Sequence, residues 1–374
     1  MRIHSFSITD LLGRPGTIEG SLNDDINIVT GRNGAGKTTL IKLMWYIISG
    51  NIGLAIREIE FSQAHIVTSD FTCTVNRYNR VTCDVTIDHD GESTLYEDIR
   101  DDDGDVQLNA EDIADPEIRT LGTSVFFPTF RRIEGGFSLS KDRGTSFSFS
   151  NALARPPKNE IEDALSSLSR RLSWGKNVFV SSISTVDVVS LLMRQYTDLS
   201  ELSNDLQKTT SQSVIDSIKT YRSGTNTDDA DYTIDSIRMM IEEMELQRDA
   251  IMSPIAAVKS VVEQLFRHTG INISARLSFG DAANSVNSDS LSAGEKQMLS
   301  FICYNAFYDN ATIFIDEPEL SLHVDWQRQL FPILMSQGTS NQFIIATHSP
   351  FIYSKYPDKE VALDTQRGDE EYIG

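Results

Sequence analysis

The sequence predicts an α/β fold that carries an antiparallel β layer and a helical insertion. Three observations support this fold class. A buried strand, a glycine-rich loop and a helix follow one another over residues 26–48. Apolar and polar residues alternate over 71–75 and 81–87, which predicts a β-hairpin. Apolar residues recur in steps of three and four over 188–206 and 234–265, which is a coiled-coil period.

The first 30 residues are predicted to form two strands. Ile3, Phe6 and Ile8 carry the apolar side chains of the first strand, and residues 26–30 form a short buried second strand. Glycine, proline, asparagine and aspartate between them supply turn residues. The second strand leads directly into the glycine-rich loop.

This loop matches G-x-x-x-x-G-K-[ST] at every fixed position. Its glycines let the backbone turn tightly, so that N–H groups converge on the polyphosphate of a nucleotide at the N-terminus of the next helix. Lys37 is expected to reach the β and γ phosphates, and the Thr38 hydroxyl is expected to bind Mg²⁺. The predicted nucleotide-binding residues are Gly31, Arg32, Asn33, Gly34, Ala35, Gly36, Lys37, Thr38 and Thr39.

Charge and cysteine content narrow the function classes. A net charge of −21 argues against a protein that coats DNA through its whole surface, although a local basic groove is compatible with it. The acidic segment 84–117 is predicted to be a solvated loop, with an acidic docking surface or a divalent-ion site as the alternative. Cys73, Cys83 and Cys303 are expected to be buried, reduced thiols, and the hairpin allows the first two to face each other.

Length and hydropathy bound the architecture and the compartment. A chain of 374 residues is long enough for two packed cores, or for one large domain with an insertion. No apolar run reaches the ~18 residues of a membrane span, and the N-terminus has no apolar run of signal-peptide length. We therefore expect a cytoplasmic protein with no membrane partner.

The middle of the chain changes from strand to helix. Residues 124–134 read as an apolar strand that runs into a proline turn with two adjacent arginines, and a serine-rich loop follows. From about residue 157 to 270 the pattern is helical. Complementary apolar stripes over 188–206 and 234–265 predict an antiparallel helical arm of about 35 residues a side, roughly 50 Å at most. A compact helical subdomain is the alternative interpretation.

A capped helix is predicted to begin near residue 292. Ser292 is placed to cap it, and Glu295 follows three residues later, as in a capping box. The first N–H groups of such a helix point outward, near Gly294. Alone, this pattern is typical of an ordinary capped helix.

Two buried strands end in polar residues that suit phosphate chemistry. The strand over 312–316 ends in Asp316 and Glu317. Asp316 is expected to hold Mg²⁺ through its water shell, and Glu317 to orient or deprotonate the attacking water. The strand over 343–347 precedes His348, which is placed to contact the γ-phosphate, although a lone histidine after a strand is usually structural.

Together and in this order, these stretches resemble the motifs of the ABC-type ATPase family. Residues 31–39 resemble its Walker A motif, 291–297 its signature motif, 313–317 its Walker B motif, and His348 its switch histidine. The resemblance implies an ABC-type P-loop ATPase head, a mixed sheet with an antiparallel β layer, that binds ATP and Mg²⁺.

The resemblance also implies a domain organisation. It covers residues 1 to about 150 and 270–364. We expect an N-terminal lobe of the head over residues 1–150, the helical arm insertion over 151–270 and a C-terminal lobe of the head over 271–374.

In such heads, two protomers sandwich two ATP molecules. The resemblance therefore implies that Ser292, Gly294 and Glu295 belong to a segment that contacts the γ-phosphate held by Lys37 of the other protomer. ATP binding would close the dimer, and hydrolysis through Glu317 would reset it. The predicted partner is thus a second copy of the chain, in a dimer or a higher oligomer.

Within the family, residues 316–323 look like the branch that contains OLD, RecF, SMC and bacterial-defence ATPases, and they are unlike the transporter sequence Asp-Glu-Pro-Thr-Ser-Ala-Leu-Asp. Residues 126–134 are similar to a stretch in PtuA-like antiphage-defence ATPases and to the arginine-rich strand end of RecF. No glutamine stands there at the place of the family's Q-loop. OLD proteins carry a nuclease after the ATPase, and since only 26 residues follow His348 we expect none in this chain.

Two functions follow from the resemblance. The first is the ATPase of a bacterial antiphage system that regulates a separately encoded effector, such as a nuclease or toxin. The second is a RecF-like or SMC-like repair ATPase that clamps duplex DNA, and a transporter motor is disfavoured. Net acidity favours the first, whereas a DNA-facing patch would use Arg131, Arg132, Arg170, Arg171 and Lys176.

Overall fold

The computed structural model describes residues 1–102, 105–129, 167–181, 185–223, 229–266 and 292–363. The described strands are β1 (Ile3–Thr9), β2 (Thr17–Ser21), β3 (Ile26–Thr30), β4 (Gln63–Thr68), β5 (Thr72–Arg77), β6 (Cys83–His89), β7 (Glu92–Tyr96), β8 (Ile99–Arg100), β9 (Val106–Leu108), β10 (Ser124–Phe127), β11 (Asn177–Phe179), β12 (Thr312–Asp316), β13 (Gln342–Ala346) and β14 (Glu360–Ala362). The described helices are α1 (Lys37–Ile48), α2 (Ile52–Glu58), α3 (Ala110–Leu121), α4 (Thr185–Ser223), α5 (Asp229–Phe266), α6 (Ala293–Phe307), α7 (Val324–Met335) and α8 (Pro350–Tyr353).

A parallel sheet has the strand order β11-β10-β12-β13-β3-β14. Strands β3, β12 and β13 are buried along their whole length, as expected where both faces of a sheet are covered. Because the strands run in one direction, their carboxyl ends lie at the same edge. The segments that follow β3, β10, β12 and β13 are therefore brought together at that edge.

A second sheet is antiparallel, with the order β2-β1-β4-β5-β6-β7. Alternate side chains of β4, β5 and β6 are buried, so one face of this sheet lies against the core. The predicted hairpin is confirmed, since β5 and β6 pair from Thr72 opposite Asp88 to Arg77 opposite Cys83. The predicted fold class is confirmed too, with the parallel and antiparallel strands in separate sheets.

Helix α1 shares one core with both sheets. The Trp45 ring is fully buried, and its centroid lies 5.4 Å from that of Phe126 on β10 and 5.5 Å from that of Phe179 on β11. Ile3 and Ile8 of β1 belong to the same core. Each large apolar side chain buried in this way contributes about 1.5–3 kcal/mol. The helix that begins directly after the glycine-rich loop is therefore held against both sheets.

Two details near the N-terminus differ from the predictions. The sequence analysis missed β2, which pairs with β1, because Ile18 is its only large apolar residue. Cys73 lies opposite Ile87, and Cys83 opposite Arg77, so these cysteines do not face each other, which the hairpin had left possible. All the cysteines are free and buried as predicted, and burial raises the pKa of each thiol.

The acidic segment 84–117 is not the solvated loop that its charge predicts. It contains β7, β8, β9 and most of α3. Glu111 and Asp115 are buried because Ala110, Ala114 and Ile118, spaced four residues apart, pack their face of α3 into the core. Because Glu111 and Asp115 lie beside these apolar residues on α3, their carboxyl groups are buried with them. The prediction that the acidic side chains are solvated holds for the exposed acidic residues that precede α3.

A strand interrupts the region predicted to be helical from residue 157 to 270. β11 pairs in parallel with β10, and the rings of Phe126 and Phe179 are stacked with centroids 5.6 Å apart. Three residues are too few for a periodic pattern, so this strand could not be recognised from the sequence. The predicted domain limits near residues 150 and 270 lie outside the described residues and stay predictions.

The chain divides into two compact units. The first unit comprises Met1–Ile183, Tyr308–Phe331 and Thr339–Gly374, and the second comprises Ser184–Phe307 and Pro332–Gly338. In the second unit α4 and α5 are 39 and 38 residues long and pack against each other and against α6, which confirms a helical insertion. Each of the two long helices measures about 57 Å at 1.5 Å per residue. No helix among the described residues is long and apolar enough to cross a membrane.

The buried Asp115 carboxyl group generates a stability prediction. Burial raises its pKa from 3.8 to about 7, although Oδ1 accepts a hydrogen bond of 3.1 Å from the Ile52 N–H. The folded state therefore holds a proton that the unfolded chain releases, so this group's contribution is complete below pH 3.8 and is lost as the pH rises through about 7. Asp115→Asn keeps the acceptor and removes the titration.

Relative to the wild type, we expect Asp115→Asn to gain stability as the pH rises from 4 to 8, by at most ~4 kcal/mol at ~1.4 kcal/mol per pH unit. Urea unfolding at several pH values measures the difference. The exposed Asp112→Asn on the same helix is the matched control. Parallel pH profiles of wild type and Asp115→Asn would contradict the prediction.

Candidate functional site

The glycine-rich loop connects β3 to α1 at the carboxyl edge of the parallel sheet. Gly31, Gly34 and Gly36 adopt φ angles of 149°, 79° and 100°. A Cβ atom at Gly36 would lie 3.2 Å from Leu12 Cδ1, so both its conformation and its neighbour favour glycine. Helix α1 begins at Lys37, and its N-terminus therefore opens directly onto the loop.

The Lys37 ammonium group is the central cation of the site. Its side chain is buried, and Nζ donates to the carbonyl oxygens of Gly31 at 2.9 Å and Arg32 at 3.3 Å. Burial lowers the Lys37 pKa. The negative charges of Glu317 and of two other nearby carboxylates partly oppose this shift. Among the described residues no carboxylate forms an ion pair with it. The hydrogen-bond acceptors of the ammonium group are thus neutral, within the part of the chain that the structure describes.

His348 supplies another of these acceptors. Its Nε2 lies 2.6 Å from Lys37 Nζ, directly after strand β13. Burial lowers the His348 pKa, and the Lys37 charge lowers it further, so the ring is neutral at pH 7 and accepts the lysine's hydrogen bond. Glu317 and Asp316 act on His348 in the opposite direction. The sequence analysis placed this histidine at the site but did not foresee its contact with Lys37.

Asp316 ends β12 beside the first turn of α1. Its Oδ1 accepts a hydrogen bond of 2.9 Å from Thr38 Oγ1, and its Oδ2 accepts one from the Thr129 hydroxyl group after β10. Burial raises the Asp316 pKa, and both hydroxyl donors oppose that shift by favouring the carboxylate. The two residues predicted to bind the metal ion, Thr38 and Asp316, are therefore in direct contact.

Glu317 has a strained backbone at the end of the same strand. Its φ of 47° is left-handed, and its N–H donates to the Ala346 carbonyl oxygen at 2.8 Å. Non-glycine residues in this region cost of order 1–3 kcal/mol and cluster at functional sites. Glu317 Oε1 lies 4.0 Å from His348 Nε2, which places the carboxylate next to the Lys37–His348 pair.

Three residues near the site were missed by the sequence analysis. Arg14 Nη2 donates to the Gly34 carbonyl oxygen at 2.9 Å, and Glu319 Oε1 accepts from the His348 N–H at 2.7 Å. Thr129 contacts Asp316, as described above. Arg14 lies in a tight turn in which the backbone of Leu12 is left-handed. Gly13 and Gly16 were the sequence signal for this turn. Nothing in the residue types at 129 and 319 indicated these contacts.

The predicted signature segment lies in the second unit. Ser292 N–H donates to Glu295 Oε2 at 2.7 Å and Glu295 N–H to Ser292 Oγ at 3.2 Å, so the predicted capping box is present at the start of α6. Gly294 follows within the first turn. Residues 290 and 291 lie outside the described residues, as do Arg131 and Arg132.

The remaining residues of the loop complete the predicted nucleotide-binding set. Arg32 and Asn33 are exposed, and the Ala35 N–H donates to the Arg32 carbonyl oxygen at 3.0 Å. Thr39 is half-buried in the first turn of α1. The structure thus brings the whole loop next to Thr38, Asp316, Glu317 and His348.

These residues fit a nucleotide phosphate and Mg²⁺. Burial of an ammonium group without a direct ion-pair partner costs free energy, and an anion that approaches Lys37 lowers this cost. Mg²⁺ prefers oxygen ligands, and it is usually held by one or two carboxylates together with phosphates. The Thr38 and Asp316 oxygens, 2.9 Å apart beside the helix N-terminus, are of that kind.

Comparison with known proteins gives a family and a set of similar solved structures, among them two Smc head domains. An Smc head domain from Pyrococcus furiosus, with an extended coiled coil and bound to the C-terminal domain of ScpA, matches with a TM-score of 0.39 and 11% identity over 98% of this chain and 94% of that one. An Smc head bound to the C-terminal winged-helix domain of ScpA matches with a TM-score of 0.41 and 10% identity over 98% and 95%. No curated protein matches the sequence.

The family model described as AAA ATPase domain matches residues 1–353. This range includes β3, the glycine-rich loop, β12 and His348, and it is nearly the whole chain. The protein therefore belongs to the AAA ATPase domain family.

Proposed function

We propose that the protein hydrolyses ATP in a Mg²⁺-dependent reaction at the carboxyl edge of its parallel sheet. The observation that carries this proposal is the buried Lys37 ammonium group, which has no carboxylate partner among the described residues and lies 2.6 Å from His348. Thr38 and Asp316 are the proposed metal ligands beside it. Glu317 is the proposed water-orienting residue.

The chain's own groups divide the work of hydrolysis. Lys37 compensates the negative charge of the β and γ phosphates, and the loop N–H groups position them. Glu317, held by its strained backbone, orients or deprotonates water. The neutral His348 ring carries one N–H group, which is available to donate a hydrogen bond to the γ-phosphate. Bound Mg²⁺ would neutralise phosphate charge between Thr38 and Asp316.

Assembly is the second part of the proposal. Ser292, Gly294 and Glu295 of one copy would contact the γ-phosphate held by Lys37 of another, with ATP binding as the closing step. The position of these residues at the N-terminus of α6 supports this role, since the dipole of a helix favours anions at that end. We propose a dimer or a higher oligomer of cytoplasmic protein.

The proposed biological role is nucleotide-dependent control of a separately encoded effector, such as a nuclease or toxin, in bacterial antiphage defence. The net charge of −21 supports a protein partner over a DNA-coating role. The helical insertion also exposes apolar side chains, with Leu202 56% and Leu246 73% exposed. Apolar side chains exposed on a helix are positions against which an amphipathic partner helix can pack.

Direct clamping of duplex DNA is the alternative function. One observation favours it: Arg170, Arg171 and Lys176 are exposed next to Trp174, whose ring lies 4.2 Å from the Arg119 guanidinium group. Exposed cations beside an aromatic ring suit a nucleic-acid backbone. The neighbouring reading frame discriminates the two functions, because an effector gene supports defence and a replication gene supports repair.

Removal of the Lys37 charge tests the enzyme assignment. Lys37→Ala is expected to lower the rate of ATP hydrolysis by at least about 100-fold, because the lysine stabilises charge in the transition state. Phosphate release by the purified protein measures it. Lys42→Ala on the same helix is the matched control and should retain activity, since Lys42 pairs with Glu58 at 2.7 Å. A folded, ATP-binding Lys37→Ala protein with wild-type turnover would refute the assignment.

Two substitutions test assembly. Glu317→Gln keeps the shape of the side chain and removes a negative charge near the γ-phosphate, so ATP should stay bound and the closed dimer should accumulate. Ser292→Arg places a long cation at the capping position and should block dimer closure without preventing ATP binding. Light scattering with ATP and Mg²⁺ measures the mass, with ATP retention as the control for folding. Equal masses for the two ATP-bound variants would exclude nucleotide-driven closure.

The role of the helical insertion is tested on its exposed leucines. The double substitution Leu202→Asp and Leu246→Asp is expected to weaken binding of the neighbouring gene's product by at least about tenfold, since charged groups would replace apolar contacts. Gln207→Asp, which adds a charge at an exposed polar position, is the control. Calorimetric titration measures the affinity. If the double variant binds with unchanged affinity, these positions of the insertion are not part of the interface.

A further inference from the structure

Glu319 joins two loops that flank the site. It follows β12, and its Oε1 accepts a hydrogen bond of 2.7 Å from the backbone N–H of His348, which follows β13. Hydrogen bonds from His348 and Thr347 oppose the burial that raises the Glu319 pKa. A carboxylate that accepts a backbone N–H in a buried place makes a strong, directional contact. This contact fixes the main chain at the histidine itself.

Gln327 of α7 joins the same two loops a second time. Its Nε2 donates to the Leu322 carbonyl oxygen at 2.8 Å and to the Glu319 carbonyl oxygen at 3.3 Å. Its Oε1 accepts a hydrogen bond of 2.6 Å from Ser349 Oγ. One amide group therefore binds the loop after β12 with its donor and the loop after β13 with its acceptor. A carboxylate or an ammonium group at this position could not make both kinds of contact.

The two anchors act on adjacent residues of one loop. Glu319 holds the backbone of His348, and Gln327 holds the side chain of Ser349. With this loop anchored, Nε2 of the His348 ring lies 2.6 Å from Lys37 Nζ and 4.0 Å from Glu317 Oε1. The ring position thus depends on contacts made outside the phosphate-binding residues.

We propose that Glu319 and Gln327 are positioning residues that hold His348 in register with Lys37 and Glu317. Neither residue has to touch the nucleotide for this role. The inference rests on the proposed hydrolysis for its kinetic consequence, but the ring position itself can be measured without nucleotide.

The His348 pKa reports that position. The charged groups that act on the ring are Lys37, Glu317 and Asp316, and burial together with Lys37 lowers the pKa. Glu319 contacts His348 at the backbone N–H. A ring that leaves Lys37 for solvent should therefore titrate nearer the ordinary histidine pKa, ~6.5. Loss of the Glu319 charge alone should leave the titration in place.

The experiment compares Glu319→Ala, which removes the acceptor, with Glu319→Gln, which keeps an acceptor oxygen and loses the charge. Gln327→Ala tests the second anchor, and Gln63→Ala, which removes an exposed hydrogen bond to Asn76, is the control. Proton NMR titration of the nucleotide-free proteins gives the His348 pKa, assigned by comparison with His348→Gln. Steady-state hydrolysis gives kcat and KM, and thermal unfolding checks the fold.

Glu319→Ala and Gln327→Ala should raise the His348 pKa and lower kcat by about tenfold or more, with a smaller change in KM, because misplacement of a catalytic group by about 1 Å can cost 100-fold. In Glu319→Gln, kcat should stay within about threefold of the wild-type value, and the His348 pKa should stay close to that of the wild type. The reason is that the amide oxygen still accepts the His348 N–H.

An unchanged His348 pKa in a folded Glu319→Ala or Gln327→Ala protein would overturn the proposal. Equal losses in Glu319→Ala and Glu319→Gln would also overturn it, because they would show that the charge matters and the hydrogen bond does not. If the wild-type protein does not hydrolyse ATP, the proposed function fails, and the NMR titration still decides whether the two anchors position the ring.

Discussion

The structure depends on one buried cation, Lys37, which forms no direct ion pair with a carboxylate of the described residues. Lys37 donates to two loop carbonyl oxygens and approaches a neutral imidazole, while Asp316 is occupied by the hydroxyl groups of Thr38 and Thr129. If Asp316 or Glu317 paired with Lys37 instead, the cation would be neutralised and its attraction for a phosphate would fall. The separation of these groups keeps the lysine available to an anion. Parallel strands that end at one edge bring these groups close together, and the hydrogen bonds of Asp316 to Thr38 and Thr129 and of Lys37 to the loop carbonyl oxygens keep them unpaired.

The sequence predicted the large elements of the fold because their patterns are long and repeated. The strand, loop and helix over residues 26–48 and the hairpin of β5 and β6 were found in this way, as was the helical insertion. Short or polar elements were missed, among them β2, whose only large apolar residue is Ile18. The acidic helix α3 was missed for a different reason. Its charge suggested solvent, but its alanines and Ile118 pack it into the core with Glu111 and Asp115 attached.

Candidate site residues were predictable where residue type and position in a motif both carry the chemistry. Lys37, Thr38, Asp316, Glu317 and His348 were selected in this way, and the structure places them next to one another. Contacts made through the backbone could not be recognised from residue types in the sequence. Glu319 holds His348 by its main-chain N–H, an interaction that any residue at 348 except proline could offer. The contact between Lys37 and His348 was also beyond the sequence, because it depends on the register of two strands far apart in the chain, in which Ala346 of β13 lies opposite Val29 of β3.

The most direct test of the central claim is a crystal structure with Mg²⁺ and a non-hydrolysable ATP analogue. The account predicts that Lys37 Nζ leaves His348 Nε2, now 2.6 Å away, and moves to within hydrogen-bond distance of the phosphates. It also predicts a metal ion between Thr38 and Asp316. A nucleotide bound elsewhere, with Lys37 still on His348 and its loop carbonyl oxygens, would contradict the claim that this uncompensated cation is the phosphate-binding group.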